Sequence, residues 1–241
     1  MAEHRPAFYA AAPGGWRDWW SLLHPPYTVW HLSYVAIGAG LAPRLDVVRL
    51  GATLLAFLAA VGVSAHAIDE FGSRPLGTAI SRPALMAAAV AGLVIALGLG
   101  VVGVVDVGWV LIPFMVIGPV LVVAYNAELF GGVVHTDAGF AVAWGAFPVL
   151  TAYVAQTGRL GWAAPAGAVG AFGLSFAQRS LSTPARMLRR RTVRVEGALT
   201  MSDGSSVEID YAAVLGPLER ALQALSGAMA FLAAAVVLSR W

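Results

Sequence analysis

PALMAAAVAGLVIALGLGVVGVV, residues 83–105, decides the fold. No side chain in it is charged. A helix crossing the ~30 Å hydrocarbon core of a bilayer needs about 20 apolar residues. A chain in lipid must also bond its own peptide groups, and a helix does so within one segment. The stretch is too long for a strand and too uniformly apolar for a surface helix, so it predicts a membrane span.

Working outward from it, six further apolar segments of similar kind are expected at 25–42, 47–68, 109–130, 138–155, 162–177 and 221–238. Together they predict an all-α fold, a polytopic membrane bundle of about seven transmembrane helices forming one domain over residues 1–241. The composition agrees. Hydrophobic residues make up 59% and charged residues 12%, against roughly 25% charged in a soluble domain, and the mean hydropathy is +0.76. The N-terminal stretch lacks the apolar core and cleavage site of a signal peptide. Trp16, Trp19 and Trp20 beside Arg17 are expected to anchor it at the interface. One insert breaks the helical pattern. TVRVEGALTMSDGSSVEID, residues 192–210, alternates apolar and polar residues around an Asp-Gly turn, which predicts a small β-hairpin outside the membrane. The hairpin is a candidate contact for a partner protein.

The chain has no Cys and no Lys. Thiolate metal sites, cysteine nucleophiles and Schiff-base chemistry are thereby excluded. A net charge of +2 gives no reason to expect nucleic acid. Arginine placement orients the bundle. With the N-terminus in the cytoplasm, only Arg44, Arg49, Arg159 and Arg240 fall outside, as the positive-inside rule requires. The expected location is a bacterial or archaeal cytoplasmic membrane.

Ionisable groups at membrane depth are costly and mark function by default. His24 and His31 fall at the start of the first segment, and His66, Asp69 and Glu70 at the end of the second. Asn126 and Glu128 close the fourth, and His135 precedes the fifth. All are expected at the cytoplasmic side. His24 and His31 are two helical turns apart, and His66 and Glu70 one turn apart. Glu128 and His135 flank Gly131-Gly132, where a helix break is expected. Imidazoles and carboxylates on facing helices are how bundle metal sites are built. The candidate metal ligands are therefore His24, His31, His66, Glu70, Glu128 and His135. Such a set suits Fe, Zn or Mn, with Mg as a further option. Asp69 and Asn126 are candidate catalytic residues, while Arg74, Arg179, Arg186 and Tyr125 are candidate substrate contacts.

At these residues the chain resembles the UbiA superfamily of intramembrane prenyltransferases. HPPYTVWHLSYVAIGAGLAP (24–43) resembles that family's first span. HAIDEFGSRPLGTAIS (66–81) resembles the end of its second span, where an Asp-rich motif precedes Arg-Pro-Leu. Tyr125-Asn126 and WGAFPVLTAYVAQTG (144–158) resemble the close of its fourth span and its fifth. The resemblance covers roughly the first 180 residues and implies a helical bundle acting on an isoprenoid diphosphate held by Mg²⁺. The chain departs from the pattern at the acids themselves. His66 takes the place of the middle Asp of the first motif, with Gly62 and Val63 at two other motif positions. AQRSLSTPARMLRRR (177–191), where the second motif should fall, has no carboxylate. The resulting expectation is a UbiA-like membrane metalloenzyme acting on a membrane lipid or isoprenoid-type substrate near the cytoplasmic face. The alternatives are a non-catalytic lipid-binding or isoprenoid-binding subunit and a proton-coupled transporter.

Overall fold

The computed structural model describes residues 5–241. It is a mostly helical bundle with one small antiparallel sheet. A short helix α1 (Trp16–Leu22) leads into α2 (Pro25–Gly40), opened by the Pro25-Pro26 pair. Proline is tolerated there because the first helical N–H groups have no intrahelical partner. α3 (Val47–Gly72) starts at Asp46, whose carboxylate accepts from the N–H groups of Val48 and Arg49. α4 (Arg82–Val107) is capped by the Ser81 hydroxyl. Gly108, at φ +114°, turns the chain into α5 (Trp109–Asn126). α6 (Asp137–Thr157) is capped by Thr136 and ended by the left-handed Gly158. α7 (Ala163–Arg191) is a single helix of 29 residues. It is followed by β1 (Gly197–Thr200), β2 (Ser206–Ile209) and α8 (Tyr211–Leu238).

Among the described residues five helices are long and apolar enough to cross a membrane: α3, α4, α5, α6 and α8. Their buried share is small in α4, at 11% of the most apolar window, and largest in α6, at 61%. α6 is therefore central and α4 peripheral. α2 has 16 residues, and α7 carries Arg179, Arg186 and Arg189 to Arg191 in its second half. Neither is among the five. The expected 192–210 insert does form the hairpin, with Gly197 opposite Ile209 and Thr200 opposite Ser206.

Successive helices alternate in direction, so the molecule has two ends. One gathers the N-termini of α2, α4, α6 and α8 and the C-termini of α3, α5 and α7. His24, His66, His135 and the Arg run of α7 all belong to it. The other end holds Arg49, Asp106 and Gln156. Two helices are locally widened to π geometry, α3 at Leu58–Ala65 and α6 at Val142–Ala146. Isolated π segments inside α-helices occur often at functional sites. These two meet in one core cluster, with Val61 and Ala65 packed with Ala143, Trp144, Val122 and Tyr125.

Candidate functional site

Backbone strain is concentrated at the histidine end. Four non-glycine residues among those described have positive φ: His24, Arg74, Glu128 and Phe130. All lie there, and a left-handed conformation at such residues costs about 1–3 kcal/mol each. The expected break between Glu128 and His135 is present, with positive φ at Glu128 and from Phe130 to Gly132.

His24 is the residue before α2 rather than part of it, so it does not share a helical face with His31. Its ring stacks on His66, with centroids 4.3 Å apart. Its Nδ1 lies 2.6 Å from the hydroxyl of Tyr9. Burial holds the His24 imidazole well below its ordinary pKa, and the neighbouring His66 adds to this. Burial likewise pushes the Tyr9 phenol well up.

Backbone carbonyls assign the other imidazoles. A carbonyl only accepts, so the ring nitrogen facing it must carry the proton. His31 Nδ1 donates to Trp144 O at 3.0 Å, His66 Nδ1 to Gly62 O at 3.1 Å and His135 Nδ1 to Tyr125 O at 2.9 Å. Each thus presents Nε2 as its lone-pair nitrogen. That of His135 faces Arg179, 3.5 Å away. His135 also stacks on Tyr125, with centroids 4.4 Å apart. The Tyr125 hydroxyl is buried with no hydrogen-bond partner.

The carboxylates do not join this set as ligands. Glu70 is 1% exposed. It shares a helical stripe with His66 but reaches past the end of α3, accepting from Leu76 N, Thr78 N and the Thr78 hydroxyl. Arg74 closes the same loop by donating to Thr78 O and Ile80 O. Glu128 is exposed. The Asn126 amide donates back to Val122 O. Among the described residues no three His, Asp or Glu side chains are grouped to hold a metal ion. The imidazoles have the protonation pattern of metal ligands, with Nδ1–H on a carbonyl and Nε2 free. They nevertheless lack a convergent carboxylate, because Glu70 is committed to three hydrogen bonds. The arrangement fits neither a paired Mg²⁺ centre nor a closed transition-metal site.

It does collect cations. Arg179, Arg186 and Arg190 are seven and four residues apart on α7, and so share one face. Arg179 bonds Asp137 at 3.1 Å and lies over the Phe140 ring. Arg189, on another face, is bonded by both nitrogens to Glu219. Arg186 is partly buried, and its one hydrogen bond is a 3.4 Å contact to Thr183 on its own helix. It lies within electrostatic reach of Arg179, Arg190, Tyr27 and Tyr125. Arg190 donates to the carbonyl of Pro6. Asp69 lies within electrostatic reach of Arg190 and Arg186 but forms no ion pair with either within 4.0 Å. Two carboxylates, Asp69 and Asp137, thus meet three guanidinium groups.

Tyr9, Tyr27, Phe140 and Arg190 are members of the site that composition and spacing did not single out. The 7-and-4 spacing of the three arginines was the available signal for Arg190. No sequence signal pointed to Tyr9, which reaches the site from a segment without regular structure.

Beneath this basin lies a cavity of about 420 Å³ between α3, α4, α5 and α6. Val61, Val122, Ala143 and Trp144 line its inner end, and these residues also pack with Tyr125. Asp46, Arg49 and Asp106 lie at its far end. The walls between are mainly Ala, Val, Leu, Gly, Phe and Met. Comparison with family models, with curated proteins and with solved structures finds no match to this chain.

Proposed function

We propose that the protein is a UbiA-like integral membrane enzyme acting on a lipid or isoprenoid-type substrate that carries an anionic headgroup. In this reading α2 and α7 complete a seven-span bundle, and the arginine-rich end faces the cytoplasm. The observation that carries it is Arg186, a partly buried guanidinium between two other cations with no carboxylate bonded to it. Partial burial deprives this cation of part of its hydration, and a phosphate or diphosphate would supply the opposite charge. Guanidinium groups bind such oxygens through paired, charge-assisted hydrogen bonds.

Arg186, Arg190 and Arg179 hold the headgroup, and the free Tyr125 hydroxyl donates to it. The Nε2 atoms of His31 and His66 are the proton acceptors beside it. Asp69, within electrostatic reach of Arg186, Arg190 and His135, steadies that cluster around the headgroup. The apolar cavity beneath accommodates the hydrocarbon chain, since an apolar lining with a few polar groups at its mouth is the usual form of a small-molecule site. The charge of the headgroup is balanced by arginines, so no step depends on an ion held by the protein.

The test is a titration of the detergent-solubilised protein with an isoprenyl diphosphate, followed by product analysis. Binding with turnover, and turnover lost in His66→Ala and Asp69→Asn while binding persists, supports the enzyme. Binding that persists with no turnover in any variant supports the non-catalytic lipid binder. Absence of binding sinks both.

A further inference from the structure

The headgroup site is covered. Residues 5–13 run across it from α8 to the start of α2, outside every helix. Phe8 packs into the cluster of Ala185, Leu188, Leu215 and Leu222. Tyr9 stands edge-on to Phe8 and to Tyr27, with centroids 5.2 and 5.6 Å away. Ala11 N–H ties the segment to the Ser21 hydroxyl of α1 at 3.0 Å, and two other polar ties fall on groups a headgroup would use or pass. The Tyr9 hydroxyl occupies His24 Nδ1 at 2.6 Å, and the Pro6 carbonyl occupies Arg190 at 3.2 Å. The segment joins α1 through Gly14 and Gly15, both at positive φ and with open space where a side chain would stand. α1 itself presents Trp16, Trp19 and Trp20 outward, an interfacial anchor beyond a two-glycine hinge.

We infer that residues 5–13 form a displaceable cover, which an anionic headgroup lifts by taking Arg190 from the Pro6 carbonyl and opening Tyr9 away from His24. This rests on the anion reading above. The exchange is favourable because an anionic oxygen meets the guanidinium with a full opposite charge, where the Pro6 carbonyl offers only a dipole. The hinge supplies the freedom, since glycine adopts positive φ at no steric cost. The Trp anchor holds the opened segment at the membrane surface rather than releasing it into water. The cover also explains why a strongly cationic site tolerates burial in the free protein. The Pro6 carbonyl and the Tyr9 phenol solvate Arg190 and His24 until the ligand arrives.

The experiment uses inorganic diphosphate and the rate at which a water-soluble maleimide labels Ala10→Cys in the full-length protein. Ala10 is 3% exposed, and the chain has no native cysteine to interfere. Diphosphate is expected to raise the labelling rate about ten-fold or more. Tyr9→Phe, which removes the tie to His24, is expected to raise labelling without ligand and to tighten diphosphate binding about five-fold, the worth of one ordinary hydrogen bond. Should Ala10→Cys disturb the fold, Ala7→Cys, 8% exposed on the same segment, serves instead. Diphosphate that binds the wild type without altering labelling overturns the cover and leaves the anion site standing. Unchanged or weaker binding in Tyr9→Phe also overturns it. Failure of diphosphate to bind both wild type and Tyr9→Phe overturns the anion reading, and the cover with it.

Discussion

Arg49 at one end of the bundle and Arg186 at the other are treated in opposite ways. At the far end Arg49 donates to the Asp106 carboxylate at 2.8 Å, to Asp106 O and to Gln156 O. Gln156 in turn bonds the backbone N–H and carbonyl of Asp46. One arginine is matched on every side, and the helix ends around it are stapled together. At the histidine end, among the described residues, Arg186 has no carboxylate bonded to it, Arg190 has a carbonyl, and Asp69 has no ion pair. The non-glycine positive-φ residues cluster there as well, and both π segments lie toward it. The far end turns its chain with glycines, at Gly108 and Gly158. Matched charge and relaxed backbone fasten a fold. Unmatched charge and strained backbone tend to cluster where a ligand or a reaction uses them.

Within the histidine end, Glu70 belongs to the matched class, and this gives the largest expected effect. Glu70→Gln puts an amide where three donors converge and should lower stability by about 3 kcal/mol, from the loss of charge-assisted bonds in a buried site. Thermal denaturation in detergent reads it. A variant of normal stability that had lost activity would instead restore Glu70 to the reaction. Next is the cavity. Ala56→Phe narrows it and should weaken a long-chain isoprenyl diphosphate about ten-fold relative to inorganic diphosphate, because buried apolar area is worth about 25 cal/mol per Å². Equal losses for both ligands would remove the hydrocarbon chain from this cavity.

Arg49→Gln should cost about 1 kcal/mol, the scale of a solvent-accessible ion pair. A further effect is in acid. Burial lowers the His24 pKa, so the folded chain binds that proton less readily than the unfolded chain. Stability from this group is intact at neutral pH and declines as the pH falls below about 6.5, by at most about 1.4 kcal/mol per unit. Melting curves of wild type and His24→Gln between pH 7 and pH 5 check this, and parallel slopes would contradict it. Added Mn²⁺ or Zn²⁺ offers a separate check. No thermal shift is expected with Glu70 committed as it is, and a large one would favour the metal ligands read from the sequence.

The helices were legible as long apolar runs, although five of the seven expected segments, among the described residues, lie in helices long and apolar enough to cross a membrane. Residues 83–105, 109–130 and 138–155 all fall within or largely within observed helices, and the Asp203-Gly204 turn lies in the observed hairpin loop. The site was legible only by location. Histidines and carboxylates were expected at one end, and they are there. Their partners were not legible, because spacing reports which residues share a stripe but not how far each side chain reaches. Glu70 reaches forward to Thr78 while His66 reaches back to Gly62. His24 left its expected helical face because Pro25 starts the helix after it. Tyr9 was invisible because an unstructured segment has no periodicity to read.

The central claim is that Arg186, with no carboxylate bonded to it, belongs to the ligand site and that Arg49, bonded to Asp106, does not. Inorganic diphosphate binding to wild type, Arg186→Gln and Arg49→Gln, measured by calorimetry in one detergent, tests it most directly. The account expects Arg186→Gln to bind at least about ten-fold more weakly, the loss of one charge-assisted contact, with Arg49→Gln unchanged. Equal binding by wild type and Arg186→Gln, or an equal loss in both variants, would contradict it.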